Sequence, residues 1–76
     1  MLFDENEIFY DTSELTELEV EIIKYVALGK ENKEIGKLCF ISPHTVKAHL
    51  SVIFRKLCAK NRSNAVYLAH KNNYID

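Results

Sequence analysis

The sequence has little glycine, proline or cysteine and no long apolar run. Two glycines and one proline in 76 residues argue against an all-β chain, which needs many turns. Two cysteines are too few for a disulfide-stabilised scaffold, so we expect both to be reduced thiols in a cytoplasmic protein. No stretch approaches the ~20 apolar residues of a transmembrane helix, and the acidic N-terminus differs from the basic start of a signal peptide. We therefore expect no membrane partner.

The patterns that support catalysis or metal binding are also absent. No C-x₂-C pair occurs, so we expect no zinc site. The sequence contains no glycine-rich phosphate loop and suggests no nucleophile–base pair. A chain of this length leaves little room for a metabolite cavity beside its core. We therefore expect no enzyme activity, no metal, no cofactor and no small-molecule ligand in this domain.

The composition is that of an ordinary globular protein, but its charge is divided unevenly along the chain. Hydrophobic residues make up 47% and charged residues 28%, which excludes a disordered chain. The net charge of −1 conceals nine acidic against two basic residues in 1–31, and eight basic against two acidic residues in 32–76. A nearly neutral chain with this division presents a positive face to an anionic partner such as nucleic acid.

Hydrophobic periodicity and capping signals predict four helices. Thr16 is the expected N-cap of the first helix, in a capping box with Glu19. Asn32 is the expected N-cap of the second helix, Ser42 of the third and Ser63 of the fourth. Residues 1–14 show no clear period, and we interpret them as an acidic extension or the remnant of a linker. Apolar residues at helical spacing are expected to face the core: Leu18, Ile22 and Val26, flanked by Ile23 and Ala27, in the first helix, Ile35 and Cys39 in the second, Val46, Leu50, Ile53 and Leu57 in the third, and Ala65, Val66 and Ala69 in the fourth.

The second and third helices are separated by only three residues, 40–42, which is the arrangement of a helix-turn-helix motif. The N-terminal half of the third helix can enter the DNA major groove as the recognition helix. Lys47, Ala48 and Ser51 project from one face near that end and are expected to contact bases. Side chains suited to phosphate contacts are Lys33, Thr45, Arg55, Lys56, Lys60 and Arg62.

An ordered series of short motifs over residues 15–76 resembles the LuxR/FixJ/GerE-type DNA-binding domain. The motifs include Leu15-Thr16-Glu17, Asn32-Lys33-Glu34-Ile35, Thr45-Val46-Lys47, Lys56-Leu57 and Lys60-Asn61-Arg62. The resemblance implies an all-α, four-helix domain that binds inverted-repeat promoter DNA, usually as a dimer through the fourth helix, and that regulates transcription in bacteria. It also implies base contacts at Lys47, Ala48 and Ser51, and phosphate contacts on or near Asn32, Lys33, Ser42, Thr45, Lys56 and Arg62.

Two surfaces allow alternative interpretations. Tyr67, Leu68 and Lys71 on the fourth helix form a dimer face or cover the core. The acidic residues of 1–21 form a solvated face, repel DNA from the wrong side, or contact RNA polymerase.

This chain departs from the family pattern at several positions. Leu18 and Val20 stand where the family usually has arginines, Gly36 replaces a usual alanine, and Cys58 replaces a usual cap glycine. Together with Leu38, the two apolar replacements at 18 and 20 support a second hypothesis, an adaptor of the same fold that binds a protein partner and little or no DNA.

Overall fold

The structure, a computed structural model, describes residues 13–76. These residues form four α-helices and no strand: α1 Glu17–Ala27, α2 Asn32–Cys39, α3 Pro43–Leu57 and α4 Arg62–Lys71. The predicted all-α architecture with a helix-turn-helix is confirmed. The predicted extension over residues 1–14 lies outside the described residues, apart from 13 and 14.

All four helices share one hydrophobic core. α1 packs on α2, α3 and α4, and α3 also packs on α2 and α4. The largest fully buried side chains are isoleucines and a valine from α1, α2 and α3, while α4 contributes two fully buried alanines. Such small residues let α4 approach its neighbours closely. The predicted core face of α3 is confirmed, because Val46, Leu50, Ile53 and Leu57 are all buried. No helix within residues 13–76 has the length and apolar character needed to cross a bilayer.

The buried face of α1 differs from the predicted one. Leu18 is 38% exposed and Ala27 is also exposed, so these two predictions were wrong. The predicted burial of positions 22, 23 and 26 is confirmed, and the structure also buries Leu15, just before the helix, and position 19. Each step of four residues drifts by about 40° around a helix. In the series 18-22-26, Leu18 therefore lies to one side of the buried face that Ile22 and Val26 occupy, whereas 15-19-22-26 alternates steps of four and three and stays on that face.

The N-termini of α1 and α2 are both closed by reciprocal hydrogen bonds. The predicted capping box of α1 is confirmed: the Glu19 N–H donates to Thr16 Oγ1 at 3.2 Å, and the Thr16 N–H donates to Glu19 Oε1 at 2.8 Å. Asn32 is not the cap of α2 but its first residue. The cap is Glu31, whose N–H donates to Glu34 Oε1 at 3.1 Å. Because Glu34 lies three residues after Glu31, it can accept this hydrogen bond, and α2 begins one residue earlier than predicted.

The cap of α3 was predicted correctly, and that of α4 was not. Ser42 Oγ accepts from the Thr45 N–H at 3.0 Å, with a proline at the first helical position. Ser63 lies inside α4, which begins after Asn61. The Asn61 side chain accepts from the Asn64 N–H at 2.8 Å, and Asn64 Oδ1 accepts from the Lys60 N–H at 2.9 Å. These two bonds satisfy more of the turn's N–H groups than a serine hydroxyl at 63 would.

Three helix ends place a non-glycine residue in the left-handed region. Phe40 after α2 has φ 61°, Cys58 after α3 has φ 57°, and Asn73 after α4 has φ 65°. Asparagine tolerates this conformation, whereas other side chains with a Cβ pay roughly 1–2 kcal/mol for it. Cys58 is the position where the family resemblance indicates glycine. The turn between α3 and α4 is therefore locally strained.

Replacing Cys58 with glycine is expected to raise the free energy of unfolding by about 0.5–1 kcal/mol. The gain is smaller than the full strain because glycine also increases the entropy of the unfolded chain. Urea denaturation measures the effect. Cys58→Ala is the control, since it removes the thiol but keeps the strained Cβ. An equal gain in the alanine variant would show that the backbone conformation is not the cause.

Candidate nucleic-acid interface

The third helix presents one exposed strip opposite its buried face. Lys47, Ala48 and Ser51 are all exposed and lie on adjacent turns of the helix. The Ser51 hydroxyl donates to the Lys47 carbonyl oxygen at 3.3 Å, which leaves its lone pairs free to accept a hydrogen bond. The structure therefore brings the three predicted base-contacting residues together on an accessible surface. Their contact with bases stays a prediction.

The start of this helix is polar and is closed by a side-chain cap. The Ser42 and Thr45 hydroxyls lie 2.9 Å apart, and Ser42 Oγ caps the helix. The first N–H groups of a helix and its dipole attract anions. The two hydroxyls therefore lie where a phosphate oxygen would approach the end of α3.

A second polar cluster joins the N-terminus of α4 to that of α2. The Arg62 guanidinium donates to Asn32 Oδ1 at 3.2 Å and to the Lys30 carbonyl oxygen at 2.9 Å. These residues line a shallow concavity with Gly29. Lys33, one residue further along α2, is exposed. Three of the predicted phosphate-contacting residues, Asn32, Lys33 and Arg62, are thus grouped where the N-termini of α2 and α4 meet.

The side chain of Lys56 is largely buried, unlike that of Lys33. Its Nζ lies 2.8 Å from Glu19 Oε1 and 3.3 Å from the Glu14 carbonyl oxygen. The two side chains of the ion pair are only 10% and 8% exposed. This placement favours a structural role and speaks against the predicted phosphate contact. Arg55 and Lys60, by contrast, are exposed near the end of α3.

Glu19 is buried, so the interpretation of the acidic residues as a solvated face is wrong at this position. Burial raises the pKa of its carboxyl group, but the hydrogen bonds from Lys56 and Thr16 and the Lys56 charge outweigh burial and lower the pKa below its ordinary value. The carboxylate therefore stays ionised and connects the cap of α1 to α3. The sequence analysis missed this burial, although the 15-19-22-26 spacing is a signal that could have placed Glu19 on the core side.

The predicted dimer residues divide between surface and core. Tyr67 is 59% exposed and Lys71 is exposed, whereas Leu68 packs partly against the core. Two of the three residues are therefore accessible to a second copy. The structure contains one chain, so their role as an interface stays a prediction.

The apolar residues that departed from the family pattern do not form one surface. Val20 packs against the core, whereas Leu18 and Leu38 remain exposed at 38% and 45%.

Cys39 Sγ lies 3.6 Å from Glu21 Oε2. Burial and the Glu21 carboxylate raise the pKa of the Cys39 thiol, which keeps it protonated and unreactive. Residues 13–76 contain no group of three His, Cys, Asp or Glu side chains arranged to hold a metal.

These features define a helix-turn-helix DNA-binding domain: a short helix, a three-residue turn and a longer helix with an exposed polar strip. Comparison with protein families gives the same class. Residues 13–69 match the family described as "Bacterial regulatory proteins, luxR family". The chain belongs to this family of transcription regulators.

Known relatives match over most of this chain but over less than a third of their own length. "Transcriptional regulatory protein LiaR" of Bacillus subtilis is 44% identical over 62 residues, covering 82% of this chain and 29% of the relative. "CsgBAC operon transcriptional regulatory protein" of Escherichia coli is 45% identical over 58 residues, covering 76% and 27%. "Response regulator protein VraR" of Staphylococcus aureus is 43% identical over 61 residues, covering 80% and 29%.

Proposed function

We propose that this chain binds double-stranded DNA sequence-specifically and regulates transcription in the bacterial cytoplasm, by binding and not by catalysis. The observation that carries the proposal is the exposed strip of Lys47, Ala48 and Ser51 on α3. α3 has 15 residues, about 22 Å, and a helix of this kind fits a major groove ~12 Å wide. Lysine donates to guanine O6 and N7, alanine contacts the thymine methyl group, and serine pairs with either kind of base.

The phosphate contacts in this proposal come from three places next to α3. Asn32, Lys33 and Arg62 lie where the N-termini of α2 and α4 meet. Arg55 lies in the last turn of α3 and Lys60 just after it, while Ser42 and Thr45 lie at its start. Lys56 is omitted because its ammonium group is already paired with Glu19. Contacts of this kind fix the orientation of the protein on the duplex, while the α3 strip supplies the sequence preference.

The proposal includes a dimer on an inverted repeat. A two-fold arrangement would place two copies of α3 in successive major grooves about 34 Å apart. The exposed Tyr67 and Lys71 on α4 support a contact between copies, because an exposed tyrosine is a common interface anchor. The partly packed Leu68 would lie at the edge of that contact.

Fluorescence anisotropy tests DNA binding directly. A preferred duplex is first selected from a random pool and then compared with a random duplex at several salt concentrations. We expect the protein to bind the selected duplex at least a hundredfold more tightly than the random duplex. With about four phosphates neutralised per protomer, log K should fall with log salt at a slope of about −3.6 for each protomer bound. Absence of duplex binding at physiological salt would contradict the proposal.

Replacing Lys33 with alanine is expected to weaken binding to selected and random duplexes alike, by a few-fold. The salt slope should become less steep by about one, because one phosphate contact is lost. Lys24→Ala is the matched control, since Lys24 is an exposed lysine on α1 away from α3's strip, and we expect it to bind both duplexes normally. A loss confined to the selected duplex would assign Lys33 to base recognition instead.

The exposed Leu18 and Leu38 favour a second candidate function, a protein-binding adaptor. RNA polymerase is one partner that the acidic surface of α1 would suit. This candidate predicts no DNA affinity at physiological salt and loss of partner binding in Leu18→Arg, which restores the usual family residue. The burial of Val20 against the core reduces the apolar surface on which the candidate depends, so DNA binding is the better supported function.

A further inference from the structure

Gly36 lies at the closest approach between α2 and the turn that leads into α3. A β-carbon built on this glycine would stand 2.6 Å from the Ile41 carbonyl oxygen and 3.3 Å from the Pro43 nitrogen. Ordinary van der Waals contact begins near 3.4 Å. Both neighbours are backbone atoms, which cannot move aside by changing a side-chain rotamer. The turn therefore occupies the space that a side chain at position 36 would fill.

The same glycine also holds the turn through its carbonyl group. The Gly36 oxygen accepts hydrogen bonds from the backbone N–H of Phe40 and, at 2.9 Å, from that of Ile41. Phe40 adopts the left-handed conformation needed to close this turn, with its side chain 94% exposed. Ser42, the cap of α3, follows two residues later. The position of Gly36 therefore sets where α3 begins.

We infer that Gly36 is the positioning residue of α3, and that the absence of a side chain there sets the base preference of this protein. The inference rests on the proposed DNA-binding function. An alanine, the usual family residue, would require the Ile41 carbonyl oxygen to retreat by about 0.8 Å to reach ordinary contact. Hydrogen bonds to base edges tolerate displacements of only about 0.5 Å. Long, flexible lysine and arginine side chains absorb the same displacement at the phosphates, so affinity for random DNA is unaffected.

The experiment compares Gly36→Ala with Gly29→Ala in the full 76-residue chain. Gly29 has φ +82° and no atom within 4 Å of a built β-carbon, so alanine there strains the backbone without touching the α2–α3 turn. Anisotropy is measured on the duplex selected by the wild type and on a random duplex, with stability followed by urea denaturation. For Gly36→Ala we expect the preference for the selected duplex to fall about tenfold, with random binding unchanged. A second selection with this variant should yield different bases opposite the start of α3.

Gly29→Ala should lose stability and keep the full preference. An unchanged preference in Gly36→Ala would overturn the inference, since α2 would then have absorbed the displacement. Should Gly36→Ala not fold, the measurement is made on the double variant Gly36→Ala/Phe40→Gly, in which glycine relieves the left-handed backbone at position 40. A reduced preference for the selected duplex then supports the inference, and an unchanged preference overturns it. If the wild type itself binds selected and random duplexes equally, the proposed function fails and this inference with it.

Discussion

Replacing Glu19 with alanine is expected to lower the free energy of unfolding by about 3 kcal/mol. The substitution leaves the Lys56 ammonium group, 10% exposed, without its counter-charge, and breaking a buried pair from one side costs roughly 3–5 kcal/mol. It also removes the acceptor for the Thr16 N–H at the start of α1. Small domains have a total stability of about 5 kcal/mol at the low end. Urea denaturation at pH 7 should therefore show a large fall in the midpoint.

Glu17→Ala is the matched control for this measurement. Glu17 lies in the same first turn of α1 and is also acidic, but it is exposed. We expect its loss to cost a few tenths of a kcal/mol, the usual effect of a charge near a helix N-terminus. Equal losses in the two variants would mean that the helix dipole, and not the ion pair with Lys56, carries the effect.

The Glu19 contribution should also depend on pH with a defined sign. The folded-state pKa of Glu19 lies below the ordinary 4.5, because the bonds from Lys56 and Thr16 outweigh burial. A lowered carboxyl pKa stabilises the fold fully above the ordinary value, and the stabilisation is lost as pH falls through the folded pKa. The stability difference between wild type and Glu19→Ala should therefore be constant near neutral pH and should narrow below about pH 4.5.

This ion pair shows where reasoning from sequence reaches its limit. Thr16 and Ser42 were identified as caps because a cap depends on residues three positions apart. Glu19 and Lys56 are 37 residues apart, and their pairing depends on how α1 packs against α3. Charge and the family resemblance both assigned Lys56 to the phosphates, and Glu19 was expected only in the cap of α1 and among the solvated acidic residues. The helical spacing of Glu19 indicates its burial, but nothing in the sequence indicates that Lys56 is its partner.

The candidate site was more predictable than the details of the turns around it. The exposed strip of α3 follows directly from the positions of its buried residues, since a helix with a known core face has a known outer face. The start of α4 was harder, because Asn61, Ser63 and Asn64 are all good capping residues. The structure decides between them, because the Asn61 side chain accepts from the Asn64 N–H and the Asn64 side chain accepts from the Lys60 N–H. The tight contact at Gly36 involves backbone atoms of the turn, whose path no side-chain pattern specifies.

Replacing Lys47 with alanine is expected to weaken binding to the selected duplex by about 1–3 kcal/mol, roughly 5- to 150-fold, and to relax the preference at one base pair. Lys47 is exposed on α3, and within the described part of the chain it forms no ion pair. Its ammonium group is therefore free to donate to guanine O6 or N7. Anisotropy on the selected duplex, on its single-base variants and on a random duplex measures the effect.

Lys33→Ala serves as the comparison, because it removes the same charge from an exposed lysine that is proposed to contact phosphate. The two variants should differ in which duplexes lose affinity. Lys33→Ala lowers affinity for every duplex in the same proportion, since phosphates are present in all sequences. Lys47→Ala lowers affinity chiefly for duplexes that carry the base pair Lys47 contacts, so the ratio of the affinities for the selected and random duplexes falls. If Lys47→Ala instead lost affinity equally on selected and random duplexes, Lys47 would be another phosphate contact, and the sequence preference would have to come from elsewhere on α3.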